Sequence, residues 1–497
     1  MKFTLSWLKE HLDTDAALSE IVDAMTMAGL EVEAVIDPAA ALSDFTVGHV
    51  LSAEKHPDAD KLQVCQVATK DGEKTVVCGA PNARAGIQVA YAGLGTYIPG
   101  ADFSLDKKPR KIRGVESFGM LCSADELGLG EDSDGIIELP KAEVGTPVAD
   151  VLGLNDPMID FEVTPNRPDW LGVRGIARDL AATGIGTLKP DTISPVAPAF
   201  DNEQTVLIEA PDACPAFVGR VVRGVTNGPS PQWLQDRLKA VGLRPISALV
   251  DITNFLTIDR ARPLHVYDLA KVEGSIIVRM GEGETFEALD DKAYTATPDD
   301  VVIADERGIL GLGGIVGGES SGVDETTTDI LIECAVFDPL TIRRSAKRMG
   351  ANSDAKYRFE RGIDTGFMRG GMEMATRLVL ELCGGEASTV EVAGDVPAAP
   401  DNVRFDPARV EQLLGFTPGE DEIGAILCKL GFEREGSSTP WTMRVPTWRR
   451  DVTMQADLVE EVARIAGFDR LPSTPLPPLP GRREPTATRT QVRTRLA

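Results

Sequence analysis

The sequence predicts a multidomain α+β protein. Its 497 residues are enough for three or four domains at about 100–200 residues per domain. Short alternating strand patterns fill one region near the N-terminus, a larger region mixes strands with amphipathic helices, and a later region is mainly helical. Hydrophobic residues make up 42% of the chain and charged residues 26%, a composition typical of a globular protein rather than a disordered or fibrous one.

The first 38 residues predict a small α/β element. A helix near Ser6–Leu12 is followed by a periodic helix from Ala17 to Ala28, which Gly29 ends, and then by a short strand. Residues 39–150 change to short strands that end in Gly, Asp or Pro turns. Five such strands in about 100 residues predict a small β-barrel, and the OB-fold is the form best known to hold nucleic acid.

Helical periodicity returns after this strand-rich region. Residues 151–199 predict a helix and then a linker rich in Pro and Ser, and residues 205–400 predict a mixed α/β domain. Residues 401–474 predict a compact helical domain with a hairpin at 441–452. A Pro-rich joint at 471–485 leads into a short basic helix, and we expect the ending at residue 497 to be a truncation.

The net charge of −26 argues against a protein that coats nucleic acid without specificity. Any RNA contact must therefore be local. One candidate basic patch, here called the hairpin patch, comprises Lys107, Lys108, Arg110, Lys111 and Arg113. A second, here called the helix patch, comprises Arg343, Arg344, Lys347 and Arg348. On charge alone, an ordinary solvated face is the favoured interpretation of each.

Cysteine usage and hydropathy indicate a cytoplasmic protein. The seven cysteines form no C-x-x-C pair and are odd in number, as expected for reduced, mostly buried thiols. They predict neither a disulfide framework nor a zinc site. The N-terminus lacks the apolar segment of a signal peptide, and nowhere do about 18 apolar residues run together.

The glycine run from Gly311 to Gly318 invites a phosphate-loop interpretation, but no Gly-Lys-Ser/Thr follows and the spacing is not G-x-G-x-x-G. A strand whose glycines let another backbone or a flat ligand come close fits better. Among the four histidines, none are paired at metal-ligand spacing. His265 follows a segment with Asn254 and Arg244, although a lone histidine is commonly structural.

A cluster of acids lies near the end of the helical domain. Asp457, Glu460 and Glu461 stand at i, i+3 and i+4, so a helix would present them on one face, and Asp451 lies just upstream. One interpretation is a capping box with Asp457 as the N-cap residue. The other is a Mg²⁺ site, because hard carboxylate oxygens suit that cation. The residues alone leave both open.

The segments together resemble the bacterial phenylalanyl-tRNA synthetase beta subunit across essentially the whole chain. MKFTLSWLKEHLD and FEVTPNRPDWLGVRGIARDLAA resemble the two halves of its split N-terminal domain, and HPDADKLQVCQV with GMLCSADELGL resembles the inserted tRNA-binding OB domain. SALVDITNFLTIDRARPLHVYDL, GLGGIVGGESSGVDETT and IRRSAKRMGANSDAKYRFERGID resemble the editing domain. VPTWRRDVTMQADLVEEVARIAGFDRLP resembles the small helical domain that follows.

The resemblance implies five parts. They are a split N-terminal domain at 1–38 and 151–199, an OB-fold tRNA-binding domain at 39–150, a mixed α/β editing domain at 205–400, a small helical winged-type domain with a Mg²⁺ site at 401–474, and a stub of a catalytic-like domain at 475–497. In the family, further catalytic-like and anticodon-binding domains follow.

The resemblance also implies hydrolysis of tyrosine wrongly attached to tRNA(Phe). An apolar pocket built for a phenyl ring rejects the same ring with an added hydroxyl by only about a hundredfold, so a second site must detect the hydroxyl. Glu333 matches the family's hydroxyl-reading glutamate. The remaining residues implied for this pocket are His265 and Asn254 as lining, Gly317 near the ring, Ser353 and Ala355 by the ester and amino acid, and Arg244. The family usually has threonine at the position of Ser353.

The same resemblance implies the cofactor and partners. Asp451, Asp457, Glu460 and Glu461 match Mg²⁺ ligands at the contact with an alpha subunit, in an alpha2beta2 heterotetramer that binds tRNA(Phe). ATP and phenylalanine would bind on the alpha subunit, and neither membrane nor DNA is implied. Two other functions stay open: an RNA-binding module without hydrolysis, and an assembly protein whose apparent sites are structural.

Overall fold

The computed structural model describes residues 1–130, 132–416, 418–473, 475 and 489–497. They divide into two compact units, one of Met1–Ala399 with Thr447–Asp451 and one of Pro400–Pro446 with Val452–Ala497. Both mix helices with β-sheets, so the α+β prediction is confirmed at this level. Most of the predicted Pro-rich joint lies outside the described residues, whereas the basic helix at the end is present as Arg489–Leu496.

The N-terminal element is completed by a segment from much later in the chain. Strand Met158–Glu162 lies between Lys2–Thr4 and Glu31–Ile36 in a three-stranded antiparallel sheet. The helices and short strands of this element are Leu5–His11, Leu18–Met27 and Val173–Thr183, with Leu12–Asp13 paired to Thr187–Leu188. The early helices lie within one or two residues of their predicted positions because apolar periodicity and Gly29, at a φ of 93°, set their limits.

The inserted region forms an antiparallel sheet of five strands. In spatial order they are Met120–Leu121, Gln88–Ala92, Phe45–His56, Ala59–Thr69 and Gly72–Cys78. Smaller elements are the hairpins Tyr97–Ile98 with Phe103–Ser104 and Arg110–Ile112 with Val115–Ser117, and the helices Pro38–Ala41 and Val148–Val151.

Strand pairing among the described residues does not close this sheet into the predicted barrel. The amide of Phe118 donates to the carbonyl of Thr75 at 2.9 Å, which joins the chain just before one edge strand to the other edge. The edge strand Met120–Leu121 has only two residues, too few to form a continuous ladder with Gly72–Cys78. The region is therefore an open sheet whose two edges approach each other.

Residues 205–400 carry two further sheets. The first has the order Val206–Ile208, Ile276–Met280, Val301–Ala304, Ile309–Leu312 and Val316–Gly317. The second has the order His265–Asp268, Asp329–Val336, Ala216–Arg223 and Glu386–Ala387, with Glu391–Gly394 also paired to Ala216–Arg223. The remaining elements are the hairpin Thr285–Glu287 with Ala293–Thr295 and the helices Gln232–Ala240, Ala248–Arg260, Pro339–Met349, Asp354–Phe359 and Met368–Cys383.

The helix Ala248–Arg260 anchors the N-terminal element to this region. The ring of Trp7 stacks on Phe255 with centroids 5.3 Å apart and planes 3° apart. Asp259 accepts hydrogen bonds from the Trp7 indole at 2.7 Å and shares one of 2.6 Å with His11. Since all three side chains of this polar contact are buried, the interaction depends on complete hydrogen bonding.

The second unit contains a small sheet and three helices before residue 470. Strand Trp441–Arg444 lies between Val403–Phe405 and Glu433–Glu435, and the helices are Ala408–Leu414, Glu420–Lys429 and Gln455–Ala466. The predicted hairpin at 441–452 is wrong, because Trp441–Arg444 pairs with strands that precede it. Pro446 lacks the amide proton that a continuing ladder would need.

The cysteines behave as predicted. All seven are free thiols, and six of them are buried. Among the described residues, no helix combines the length and the apolar character that would let it cross a membrane.

Candidate functional site

A cavity of about 70 Å³ is lined by residues of both sheets of the 205–400 region and of the helix Asp354–Phe359. From the second sheet come His265, Tyr267 and Glu333. The first sheet contributes the glycine-rich segment, and the helix contributes Ala355 and Phe359. The cavity thus gathers His265, Glu333, Gly317 and Ala355, which lie far apart in the sequence.

Strand pairing brings His265 and Glu333 together. They are direct partners on the antiparallel strands His265–Asp268 and Asp329–Val336. Directly opposed residues of an antiparallel pair share one face of the sheet. An acid and an imidazole therefore stand side by side at the cavity wall.

Glu333 is a buried acid that forms no salt bridge with the described residues. Its exposed fraction is 6%, and burial raises the pKa of its carboxyl to about 7. The hydrogen bond from Tyr267 and the charge of Arg262 oppose this rise. A carboxyl whose pKa lies near neutrality changes between acceptor and donor in the physiological range, and groups of this kind concentrate at functional sites.

His265 is held neutral. Burial lowers its pKa to about 4, so the ring carries no charge at pH 7. Its Nε2 is buried, and no described residue makes a hydrogen bond with it. Because a buried polar atom without a partner is costly, this nitrogen is a natural contact for a bound molecule or water.

The glycine run forms a close wall of the cavity, as the sequence predicted. Gly311 pairs directly with Gly317, and a Cβ at Gly311 would lie 3.0 Å from the Cα of Gly317. A Cβ at Gly317 would lie 2.5 Å from Cε1 of His265. Any side chain at Gly317 would therefore collide with the histidine ring.

Ser353 lies beside the cavity, where it supports the wall. Its Oγ donates to the carbonyl of Ile315 at 2.6 Å and accepts from the amide of Lys356 at 3.0 Å. It is the N-cap of the helix Asp354–Phe359, which places Ala355 in the cavity wall.

Asn254 and Arg244 are not among the described residues that line this cavity. Asn254 is half-buried on the helix Ala248–Arg260, and Arg244 is exposed in the loop before that helix. Their place in the site remains a prediction.

Tyr267 is a site residue that the sequence analysis missed. It is 2% exposed, its hydroxyl donates to Oε2 of Glu333, and its ring meets that of His265 edge-to-face with centroids 4.5 Å apart. The available signal was its position two residues after His265, since alternate residues of a strand share a face.

All five residues of the hairpin patch are exposed, and they lie on or beside the strands Arg110–Ile112 and Val115–Ser117. Lys108 and Arg110 also line a separate cavity of about 560 Å³ in the inserted region. In the helix patch, Arg343, Arg344 and Lys347 are exposed, whereas Arg348 forms an ion pair with Asp300.

The acids near residues 451–461 have other partners. Asp451 forms a two-point ion pair with Arg449 at 2.9 Å, and buried Glu461 pairs with Arg464. Asp457 accepts from the amides of Thr453 and Met454. This is a capping box, although Met454 rather than Asp457 is the N-cap residue.

The four acids differ in exposure as well as in partners. Glu460 is exposed whereas Glu461 is buried. Among the described residues, no three or more His, Cys, Asp or Glu side chains are grouped in a way that could hold a metal ion. Arginine or backbone groups contact three of the four carboxylates.

Three family models match separate parts of the chain. A tRNA binding domain model matches residues 45–147, a B3/4 domain model matches residues 213–384, and a tRNA synthetase B5 domain model matches residues 403–468. All the residues that line the cavity around Glu333 fall within the B3/4 match. The hairpin patch falls within the tRNA binding domain match.

Curated proteins match over the whole chain. The phenylalanine–tRNA ligase beta subunit of Mesorhizobium japonicum is 52% identical over 501 residues, an alignment that covers 100% of this chain and 62% of the relative. That of Ruegeria pomeroyi is 53% identical over 487 residues and covers 96% and 60%. The chain thus spans about three-fifths of the length of these relatives.

A solved N-terminal fragment of the phenylalanyl-tRNA synthetase beta subunit of Pyrococcus horikoshii is 15% identical and covers 63% of this chain and 88% of the fragment. Its TM-score of 0.34 is too low to establish a shared fold. The sequence matches and the three family models give the assignment: this chain is a relative, over its full length, of bacterial phenylalanine–tRNA ligase beta subunits.

Proposed function

We propose that this chain supplies tRNA binding and hydrolytic editing to a phenylalanine–tRNA ligase, in which the aminoacylation site lies on an alpha subunit. The substrate of the editing reaction is tyrosine esterified to tRNA(Phe). Water attacks the ester carbonyl, the bond to the ribose oxygen breaks, and free tyrosine and the ribose hydroxyl are released. The observation that carries this proposal is Glu333, buried in the wall of the cavity opposite His265.

The chemistry of Glu333 suits selection of tyrosine over phenylalanine. When ionised, its carboxylate can only accept hydrogen bonds, and a phenol hydroxyl entering the cavity is a donor. A phenylalanine ring would cover the same carboxylate without a partner, which costs more than the loss of an ordinary hydrogen bond. Discrimination built on an unpaired buried group greatly exceeds what an apolar pocket gives.

His265 contributes a neutral polar contact rather than a strong base. With a pKa of about 4, its imidazole is a weak proton acceptor at pH 7. We propose that Nε2 orients the amino acid or the attacking water, together with hydroxyls of the tRNA's terminal ribose. Asn254, Ser353 and Arg244 are proposed to assist around the ester end.

The domain roles belong to the same proposal. Residues 39–150 would act as a domain that binds tRNA(Phe) through Lys107, Lys108, Arg110, Lys111 and Arg113, and residues 401–474 would be a winged-type domain against the alpha subunit. An alpha2beta2 assembly in the cytoplasm is the expected setting. Asp451, Asp457, Glu460 and Glu461 are proposed to bind Mg²⁺, and no step of the editing reaction depends on it.

Deacylation of tyrosyl-tRNA(Phe) and phenylalanyl-tRNA(Phe) tests the proposal. The chain is assayed alone and with a phenylalanine–tRNA ligase alpha subunit, beside Glu333→Gln and the matched control Glu386→Gln, an exposed glutamate of the same sheet. Selective hydrolysis of the tyrosyl ester that Glu333→Gln weakens and Glu386→Gln preserves supports editing. Binding of tRNA without hydrolysis in either setting would instead leave an RNA-binding module.

A further inference from the structure

Tyr267 and Glu333 meet diagonally across two paired strands. Tyr267 is the direct partner of Leu331, two residues before Glu333, so its side chain shares a sheet face with Glu333. The phenol hydroxyl donates to Oε2 of the carboxylate. Both side chains are buried, with exposed fractions of 2% and 6%.

The second oxygen of Glu333 is placed differently. Among the described residues, none donates a hydrogen bond to Oε1. This oxygen is also not fully buried, so a molecule in the cavity can reach it. Since Glu333 lines the cavity, Oε1 is the oxygen left for a molecule inside it. The protein's own phenol already occupies the other oxygen.

We infer that Tyr267 is a specificity-determining positioning residue, whose hydroxyl occupies Oε2 of Glu333 and so leaves one oriented oxygen to read the hydroxyl of an aromatic amino acid. This inference rests on the proposed editing function and names a residue that the function alone does not require. Tyr267 acts on the substrate through Glu333, and it need not touch the substrate itself.

Two physical effects connect the phenol to selectivity. First, the hydrogen bond restricts the carboxyl to one orientation, which reduces the entropy lost when a substrate binds. Second, the bond stabilises the ionised carboxylate, because it favours the charged form against burial. Without the phenol, Glu333 would be protonated at neutral pH. A protonated carboxyl can donate a hydrogen bond to a neighbour, so it no longer requires a donor from the substrate.

The other titratable groups facing Glu333 are His265, Arg262 and Cys214. His265 is neutral because burial lowers its pKa to about 4, and burial raises the pKa of the Cys214 thiol, which stays protonated. The Arg262 guanidinium remains cationic across the working range. Glu333 is therefore the group in this cluster whose charge changes near neutrality.

Tyr267→Phe tests the inference, and Tyr294→Phe is the matched control. Tyr294 is a buried tyrosine of the same region whose hydroxyl donates to Asp290 at 2.7 Å, away from the cavity. The kcat and KM for tyrosyl- and phenylalanyl-tRNA(Phe) are measured from pH 5.5 to 9. We expect Tyr267→Phe to lower the tyrosine-over-phenylalanine ratio of kcat/KM about tenfold at pH 7. The acidic limb of tyrosyl hydrolysis should also move upward by about one pH unit.

The inference would be overturned if Tyr267→Phe lowered kcat/KM equally for both esters and left the acidic limb of tyrosyl hydrolysis in place. Editing itself would then stand. Hydrolysis of neither ester by the wild-type chain would instead defeat the editing function. In that case the infrared carboxyl band of Glu333, assigned with Glu333→Gln, still decides whether Tyr267→Phe raises its titration midpoint. An unchanged midpoint contradicts the hydrogen-bond role.

A second route avoids any loss of side-chain packing, should Tyr267→Phe fail to fold. The chain has five tyrosines, so replacement of all of them by 3-fluorotyrosine is practical. The fluorinated phenol is a stronger donor and should move the Glu333 midpoint downward. The same shift must survive in a Tyr294→Phe background, and its absence there would count against Tyr267.

Discussion

The hydroxyl of Ser353 donates to the carbonyl of Ile315 and accepts from the amide of Lys356, so one oxygen joins the glycine-rich wall of the cavity to the start of the helix that carries Ala355. Both its proton and one lone pair are engaged in structure. A threonine hydroxyl at this position could form the same two bonds. The missing methyl group leaves χ1 less restricted.

Ser353→Ala should therefore loosen the cavity rather than remove a catalytic group. Loss of the N-cap interaction costs about 1 kcal/mol, and the carbonyl of Ile315 loses its donor as well. Ser353→Thr should stay within a few tenths of a kcal/mol of wild type. Urea unfolding of the three proteins measures this difference, and equal stability of Ser353→Ala and wild type would show that the two bonds contribute nothing.

Glu333 and His265 should give opposite pH dependences of stability. Burial raises the pKa of Glu333 from 4.5 to about 7. Its contribution to the free energy of unfolding is therefore fully present below pH 4.5 and is lost as pH rises to about 7. Burial lowers the pKa of His265 from 6.5 to about 4. Its contribution to the free energy of unfolding is therefore fully present above pH 6.5 and is lost as pH falls to about 4. Each amounts to roughly 3 kcal/mol, and between pH 4.5 and 6.5 the two slopes cancel.

Single substitutions should separate the two opposing pH dependences of stability. In Glu333→Gln the free energy of unfolding should rise with pH between 4.5 and 6.5, relative to wild type, by about 1.4 kcal/mol per pH unit. In His265→Gln it should fall over the same interval. Denaturant titrations at half-unit pH steps provide the curves. Three parallel curves would mean that neither group has the shifted pKa.

The two basic patches can be distinguished by salt dependence. Replacing Lys107, Lys108, Arg110, Lys111 and Arg113 by alanine should weaken tRNA(Phe) binding and reduce the slope of log K against log salt concentration. Each lost phosphate contact lowers that slope by about 0.7–0.9. The matched control replaces the exposed Arg343, Arg344 and Lys347 of the helix patch. A larger effect of the control would move the RNA contact to that helix.

The pair of Glu461 and Arg464 tests whether the acidic cluster is structural. Both side chains are buried, so Arg464→Met should cost about 3–5 kcal/mol, and the double variant Glu461→Gln, Arg464→Met should recover part of it. If Glu461 can ligate Mg²⁺, millimolar Mg²⁺ should stabilise Arg464→Met more than wild type, and the double variant should lose that gain. The same Mg²⁺ increment in all three proteins would exclude Glu461 as a ligand.

Local patterns in the sequence predicted most of the secondary structure. The strand Phe45–His56 begins with alternating apolar and polar residues, and the helix Leu18–Met27 ends where a glycine follows, so each is defined by residues a few positions apart. The hairpin predicted at 441–452 failed for the opposite reason. The true partners of Trp441–Arg444 lie outside that window.

The candidate site was predictable only in part. His265 and Glu333 were named by resemblance, and their facing positions depend on a strand register between residues far apart in the sequence. Tyr267 resembles any core tyrosine until that register is known, and only then does its hydroxyl meet a carboxylate. Likewise, the arginine partners of Asp451 and Glu461 follow from side-chain packing that the spacing of the acids does not determine.

The strand pairing of Ile36 with Met158 has a consequence for how this chain could be cut and rejoined. Paired Cα atoms of antiparallel strands stand about 4.5–5.5 Å apart, so the inserted sheet leaves the core and returns to it almost at a single point. A two-residue turn could replace the whole excursion without moving either strand. We therefore expect a version of this protein without the insert to keep the Glu333 cavity while losing the hairpin patch.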